Sequence, residues 1–188
     1  MEFNLKKELL NYTPYNKEEQ EYVKRTIHFL DNNTNCYSRT NLAGHVNAGA
    51  LVMAEDGSVL LNHHKILDKW LLFAGHSDGD TNSLNVAKRE VMEESGITEY
   101  NDLGGKIFDV DVHLIPEDKE KNEPAHYHYD IRFLFIVKNK DFKISSESLE
   151  VKWMSIDEAK QVGYSSITRV LDKANKMYLN MQNKNRNK

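Results

Sequence analysis

The segment GHSDGDTNSLNVAKREVMEESGI, which runs from Gly75 to Ile97, decides the fold and the chemistry expected of this chain. Its first part is rich in glycine and aspartate, which is typical of a turn or loop. Its second part predicts a helix that begins near Asn82, with Thr81 as the N-cap, and that ends at Gly96. The segment therefore predicts a loop followed by a helix of about three turns.

Three glutamates are predicted to share one edge of this helix. Because an α-helix turns by about 100° per residue, they fall within an arc of about 100°. These residues are Glu90, Glu93 and Glu94. The adjoining arc is apolar and is expected to face the core. Since like charges at this spacing repel one another, either the edge faces water or a cation lies beside the carboxylates. Hard oxygen ligands of this kind suit Mg²⁺ or Mn²⁺.

The spacing of the segment resembles the Nudix box. In that motif a glycine, five residues, a glutamate and seven residues precede Arg-Glu-aliphatic-any-Glu-Glu-any-Gly-aliphatic. Eight of the nine defined positions match: Gly75, Arg89, Glu90, Val91, Glu93, Glu94, Gly96 and Ile97. The ninth position holds Thr81 where the family has its first glutamate, and the adjacent Asp80 is the candidate to supply the lost charge.

The resemblance implies an α/β protein, a Nudix-type α/β/α sandwich with a mixed central sheet. Short apolar runs elsewhere predict strands, and Asp-Gly within residues 55–58 predicts a hairpin. Asn16 and Glu19 resemble a capping box at the start of an N-terminal helix. We expect three regions: a helical N-terminal extension at 1–43, a Nudix hydrolase domain at 44–182 and a disordered tail at 183–188.

The resemblance also implies a metal site. The implied ligands are Glu90, Glu93, Glu94 and the backbone carbonyl of Gly75, with the carbonyl of Ala74 as the alternative to that of Gly75. Arg89 is expected to hold a neighbouring carboxylate in place, and it completes the predicted catalytic set with the three glutamates. The implied cofactor is Mg²⁺, or Mn²⁺ in its place.

Hydrolysis also needs a general base that takes a proton from the attacking water. The sequence leaves five candidates for this base open: Glu90, Glu120, Glu123, Glu147 and Glu150.

Residues 126–133 alternate between polar and apolar side chains, which predicts a strand with one polar face. We expect this face to line the substrate cavity together with one residue of the box. The substrate-binding candidates are His76, His126, His128 and Arg132. Two histidines on a strand can also bind a transition metal. No third nitrogen or thiolate ligand is evident nearby, so a polar lining is the favoured interpretation.

The predicted activity is hydrolysis of a phosphoanhydride bond in a nucleoside diphosphate linked to another group, or in a related small diphosphate. Two alternatives stay open. An isopentenyl-diphosphate-isomerase-like enzyme would need a cysteine in the sheet region before the box helix, whereas the single cysteine is Cys36. A non-catalytic nucleotide-binding module is the other alternative, which Thr81 keeps open.

Composition sets the remaining expectations. A chain of 188 residues suits one domain, and its net charge of −4 gives no reason to expect binding to nucleic acid or to membranes. One cysteine and no apolar run of about 20 residues favour a cytoplasmic protein. The expected partner is a small nucleotide or diphosphate. The N-terminal helices serve either a homodimer interface or a cover for the sheet.

Overall fold

The computed structural model describes residues 3–119 and 123–186. The helices are α1 (Leu5–Leu10), α2 (Lys17–Asn32), α3 (Ser83–Ser95), α4 (Ile156–Val162) and α5 (Thr168–Arg186), with a 3₁₀ turn at Ser165–Ile167. The strands are β1 (Gly44–Ala54), β2 (Val59–His64), β3 (Lys69–Leu71), β4 (Phe73–His76), β5 (Asp109–Ile115), β6 (His126–Val137) and β7 (Ser148–Met154). Among these residues, no helix has the length and apolar content needed to cross a bilayer.

The strands form a mixed seven-stranded sheet. Its hydrogen-bonded path runs β3-β2-β1-β6-β5, with β4 paired to β1 and β7 paired to β2. All eleven residues of β1 are buried, as expected for a strand with neighbours on both edges. The contacts divide the chain into two compact units. The first comprises residues 1–49, 74–90 and 105–133, and the second comprises residues 50–73, 91–104 and 134–188.

In the first unit, β5 and β6 form an antiparallel ladder from the pair Asp109–Arg132 to the pair Ile115–His126. Helix α2 packs against these strands, and the ring of Phe29 stacks on that of Tyr129 with centroids 4.2 Å apart. The observed strand β6 confirms the predicted alternation, because its polar side chains share one face of the ladder.

Glu19 anchors α2 to this ladder. Its backbone N–H donates to Oδ1 of Asn16 at 2.9 Å, which confirms the predicted start of the helix. Its carboxylate, which is fully buried, accepts from the hydroxyl of Tyr12 at 2.6 Å and from the N–H of Val110 at 3.1 Å. A residue that the sequence suggested only as a helix cap therefore also ties α2 to β5.

In the second unit, the predicted hairpin joins β1 to β2. Met53 pairs with Val59, and Gly57 turns the chain with a φ of +87°. Strand β2 also pairs with β3 and β7. The last helix, α5, extends through Arg186, so residues 183–186 of the predicted tail continue a helix, while 187 and 188 lie outside the described residues. The predicted boundaries of the three regions stay a proposal.

We predict that Glu19→Ala lowers the free energy of unfolding by about 2–4 kcal/mol, because it removes the buried carboxylate that accepts from the N–H of Val110 and from the hydroxyl of Tyr12. Urea denaturation measures this change. Glu21→Ala, at an exposed position on the same helix, is the control and is expected to change stability by less than about 0.5 kcal/mol. Equal losses in the two variants would contradict the anchoring role.

Candidate active site

The box helix α3 begins at Ser83, and its cap is Asn82 rather than the predicted Thr81. The side-chain Oδ1 of Asn82 accepts from the backbone N–H of Asn85 at 3.1 Å. Oδ1 of Asp80 in turn accepts from the backbone N–H of Asn82 at 2.8 Å, which fixes the entry to the helix. The prediction for Thr81 was wrong because asparagine caps a helix at least as well and here stands one residue closer.

The carboxylate of Glu90 lies directly against the backbone of Gly75. A Cβ atom added to Gly75 would stand 2.4 Å from the carboxyl carbon and from Oε2 of Glu90. Only glycine leaves room for this contact, which explains why the box begins with that residue. The Glu90 side chain is 13% exposed, so its charge is held close to the protein backbone.

Arg89 donates a hydrogen bond to this carboxylate. One of its terminal nitrogens donates to Oε1 of Glu90 at 2.7 Å and to the backbone carbonyl of His76 at 2.7 Å. The guanidinium therefore ties the end of β4 to the side chain of its own neighbour on α3. These contacts are of the kind that the predicted positioning role requires, and the role itself stays a prediction.

The other two box glutamates have different environments, both within the second unit. Glu94 is 8% exposed, and its Oε2 accepts from Nδ2 of Asn62 at 2.8 Å. Glu93 is exposed. The sequence gave no role to Asn62, because only the fold brings this buried side chain of β2 to Glu94. Glu94 therefore offers a carboxylate that is held by a hydrogen bond, and Glu93 offers one that faces solvent.

A second constellation, of five histidines, lies wholly within the first unit. His45 is 1% exposed, and its ring lies 4.6 to 5.0 Å, centroid to centroid, from three other imidazole rings, those of His76, His126 and His128. The ring centroids of His113 and His128 are 5.5 Å apart. The expectation that no third nitrogen lies near the histidines of β6 is therefore wrong, because β1 and β4 bring histidines that are remote in sequence.

Burial keeps most of these imidazoles neutral. Loss of hydration lowers the pKa of His45 to about 4 and that of His128 to about 2, and the neighbouring histidines act in the same direction. Burial also lowers the pKa of His76. His113 differs: burial lowers its pKa, but a 3.1 Å hydrogen bond with Asp111 and the nearby carboxylate charges outweigh that effect and raise it.

Arg132 is buried at 4% exposure and is surrounded by three carboxylates. Its terminal nitrogens lie 3.4 Å from Asp109, 3.2 Å from Asp111 and 3.0 Å from Asp130. Burial lowers the pKa of the guanidinium, and the three carboxylates more than reverse this and raise it. These ion pairs hold β5 to β6, and the predicted contact of Arg132 with substrate stays a prediction.

The candidates for the general base are spread over the chain. Glu123 lies in the first unit, with a carboxylate oxygen 3.9 Å from Nε2 of His126. Glu147 and Glu150 are exposed residues of the second unit, before and within β7. Glu120 lies outside the described residues. The choice among these residues and Glu90 stays open.

Known proteins match this arrangement. The sequence matches the family described as NUDIX domain over residues 43–173. It is 31% identical, over 129 residues, to a protein of Lactococcus lactis subsp. cremoris (strain MG1363) named "Probable DHNTP pyrophosphohydrolase", covering 68% of this chain and 76% of that protein. The chain therefore belongs to the Nudix family and is a Nudix hydrolase, as the box predicted.

Solved structures show the same fold. The C. elegans Ap4A hydrolase in a binary complex aligns with a TM-score of 0.57 at 20% identity, over 72% of this chain and 98% of that one. The E. coli dihydroneopterin triphosphate pyrophosphohydrolase aligns with a TM-score of 0.57 at 18% identity, over 68% of this chain and 92% of that one. The predicted α/β fold of the Nudix type is confirmed.

We predict that Gly75→Ala lowers the rate of hydrolysis by about a hundredfold, because the added methyl group must displace the Glu90 carboxylate by an ångström or more. The turnover rate with a saturating diphosphate substrate measures this effect.

Gly79→Ala is the matched control. Gly79 lies in the loop that follows β4, with a φ of +93°, but a Cβ there meets nothing within 4 Å. The control is expected to lose about 1–2 kcal/mol of stability and little activity. Full activity of Gly75→Ala, or equal losses in the two variants, would contradict the contact with Glu90.

Proposed function

We propose that this Nudix hydrolase cleaves a phosphoanhydride bond in a nucleoside diphosphate linked to another group, or in a related small diphosphate. We further propose that Mg²⁺, or Mn²⁺, is the cofactor. The observation that carries this proposal is the packing of the Glu90 carboxylate on Gly75, because it sets a carboxylate of α3 against the backbone of β4.

The residues present fit a hard divalent cation. The proposed ligands are Glu90, Glu93, Glu94 and the carbonyl of Gly75, all of them oxygen donors of the kind that Mg²⁺ prefers. The groove beside Gly75, which a Cβ would fill, brings the donors of β4 and α3 together. One cation beside this edge would also offset the mutual repulsion of the three carboxylates.

The bound cation would offset the negative charge of the phosphate oxygens and lower the pKa of water. The protein supplies orientation. Arg89 donates one hydrogen bond to the Glu90 carboxylate and one to the His76 carbonyl, and Asn62 donates one to the Glu94 carboxylate. In the reaction, water oxygen attacks phosphorus, the anhydride P–O bond breaks, and the water's proton passes to a carboxylate base.

The relatives suggest which substrates to test. The Lactococcus relative is named for DHNTP, and the structural neighbours for dihydroneopterin triphosphate and Ap4A. We propose a panel of dihydroneopterin triphosphate, Ap4A, nucleoside triphosphates, sugar nucleotides and isopentenyl diphosphate, each with Mg²⁺ or Mn²⁺. Release of phosphate or pyrophosphate identifies the substrate.

The same panel separates the alternatives. Isomerase-like chemistry would appear as double-bond migration in isopentenyl diphosphate. It is disfavoured because Cys36 is buried and its Sγ donates to the carbonyl of Asn33, and because burial raises the pKa of its thiol. A binding module would show thermal stabilisation without turnover. The network around Glu90 and Arg89 favours turnover over binding alone.

We predict that Glu93→Gln and Glu94→Gln each lower turnover by about a hundredfold or more while the protein stays folded, because each loses a charged ligand. Removal of divalent ions with a chelator should abolish activity, and Mg²⁺ should restore it. Circular dichroism checks the fold, and Glu99→Gln, at an exposed position just after the helix, is the control. Unchanged activity in both variants would remove the metal assignment.

A further inference from the structure

We propose that the histidine cluster of the first unit is a second metal site, one that binds a divalent transition metal such as Zn²⁺ through the ring nitrogens of His45, His76 and His128. Its donors are nitrogens rather than the oxygens of the box helix. The proposal stands on its own geometry and does not rest on the proposed hydrolysis.

The spacing of the ring nitrogens suits such an ion. One nitrogen from each of His45, His76 and His128 can be chosen so that all three lie within 4.8 Å of one another. Tetrahedral zinc with bonds of about 2.0–2.1 Å places its ligand nitrogens about 3.4 Å apart. Each pair of nitrogens would therefore have to approach by at most about 1.4 Å to reach the spacing of a tetrahedral zinc site.

His45 is the residue that most clearly lacks a partner. Its side chain is 1% exposed, and neither Nδ1 nor Nε2 has a hydrogen-bond partner within the described part of the chain. Burying a polar group without a hydrogen bond costs free energy. A metal bond to one of these nitrogens would remove that cost, which gives the buried imidazole a physical reason to be there.

His126 supplies a fourth candidate nitrogen. Its Nδ1 lies 2.8 Å from the carbonyl oxygen of Pro124, which can only accept a hydrogen bond, so Nδ1 carries the proton. In the neutral ring Nε2 then holds a lone pair, and it lies 3.2 Å from Nε2 of His128. A ring whose second nitrogen donates to a backbone carbonyl is the usual arrangement of a metal-binding histidine.

His113 and Asp130 form the other group of potential ligands around His128. Both already have strong partners, because His113 bonds with Asp111 at 3.1 Å and Asp130 accepts from Arg132 at 3.0 Å. These residues therefore suit a supporting position beside His128. The ion is therefore assigned to His45, His76 and His128, whose rings lack charged partners of this kind among the described residues.

The nature of the donors selects the class of ion. Imidazole nitrogens favour Zn²⁺, Co²⁺, Ni²⁺, Cu²⁺ and Fe²⁺, whereas Mg²⁺ prefers oxygen. The nearby cation Arg39 forms a bidentate ion pair with Asp78, at 2.9 and 2.8 Å, so its charge is balanced locally. The carboxylates of Asp78, Glu123 and Asp130 supply negative charge near His76 that opposes the charge of Arg39.

The test is a Zn²⁺ titration of the whole, chelator-treated protein with Mg²⁺ in excess, so that oxygen ligands are already occupied. Calorimetry is expected to show one tight zinc site per chain. Co²⁺ in place of zinc should give the visible absorption of a four-coordinate site with nitrogen ligands.

The variants are His45→Phe, His76→Gln and His128→Gln, and His28→Gln on α2 is the matched control. Each cluster variant should weaken zinc binding by about a hundredfold, and the control should not.

Nitrogen NMR of the histidine rings in the unmodified protein covers the case in which a variant fails to fold. Zinc is expected to shift the ring nitrogens of His45, His76 and His128 and to leave those of His28 and His64 unchanged. Zinc affinity that is equal in the unmodified protein and in folded cluster variants would overturn the proposal. So would ring shifts confined to histidines outside the cluster.

Discussion

The proposed active site depends on one contact, that of the Glu90 carboxylate with the backbone of Gly75. Three carboxylates at positions 90, 93 and 94 of one helix repel one another, so the structure must hold them against that repulsion. It does so with local means: Arg89 donates to Glu90 and to the chain at His76, and Asn62 donates to Glu94. The missing side chain of Gly75 allows the first of these carboxylates to reach the strand, and the proposed cation beside them would offset their charge.

The first unit shows a different solution to the burial of polar groups. Around Arg132, three aspartates surround one buried guanidinium, and the result is a network of ion pairs between β5 and β6 in which carboxylates are in excess. Around His45, by contrast, the neighbours are other imidazoles, and within the described residues no hydrogen bond satisfies its ring. The first arrangement ties β5 to β6, whereas the second supplies the nitrogen donors of the proposed metal site. Arg132 and the histidines of β6 lie on the same polar face of that strand. The two groups therefore share one strand but differ in chemistry.

Sequence reasoning succeeded where local physical chemistry decides the structure. Gly57 in an Asp-Gly turn, Asn16 as a helix cap and the alternation of residues 126–133 each act over a few residues, and the structure confirms them. It failed on the cap of α3, because Thr81 and Asn82 are both suitable and only the contact with Asp80 separates them. It also could not find the histidine cluster or the partner of Glu94, because His45, His113 and Asn62 reach their neighbours only through strand pairing over tens of residues. The burial of Arg132 by aspartates from an adjacent strand was hidden for the same reason.

The most direct test of the central claim is a crystal structure with Mn²⁺ soaked in, located by its anomalous scattering. The proposed metal site predicts a manganese peak within bonding distance of the Glu90 carboxylate and of the backbone carbonyl at Gly75 or Ala74. Glu93 or Glu94 is expected to be a further ligand. An ordered α3 with Glu90 still packed on Gly75, and with manganese bound only elsewhere, would contradict it.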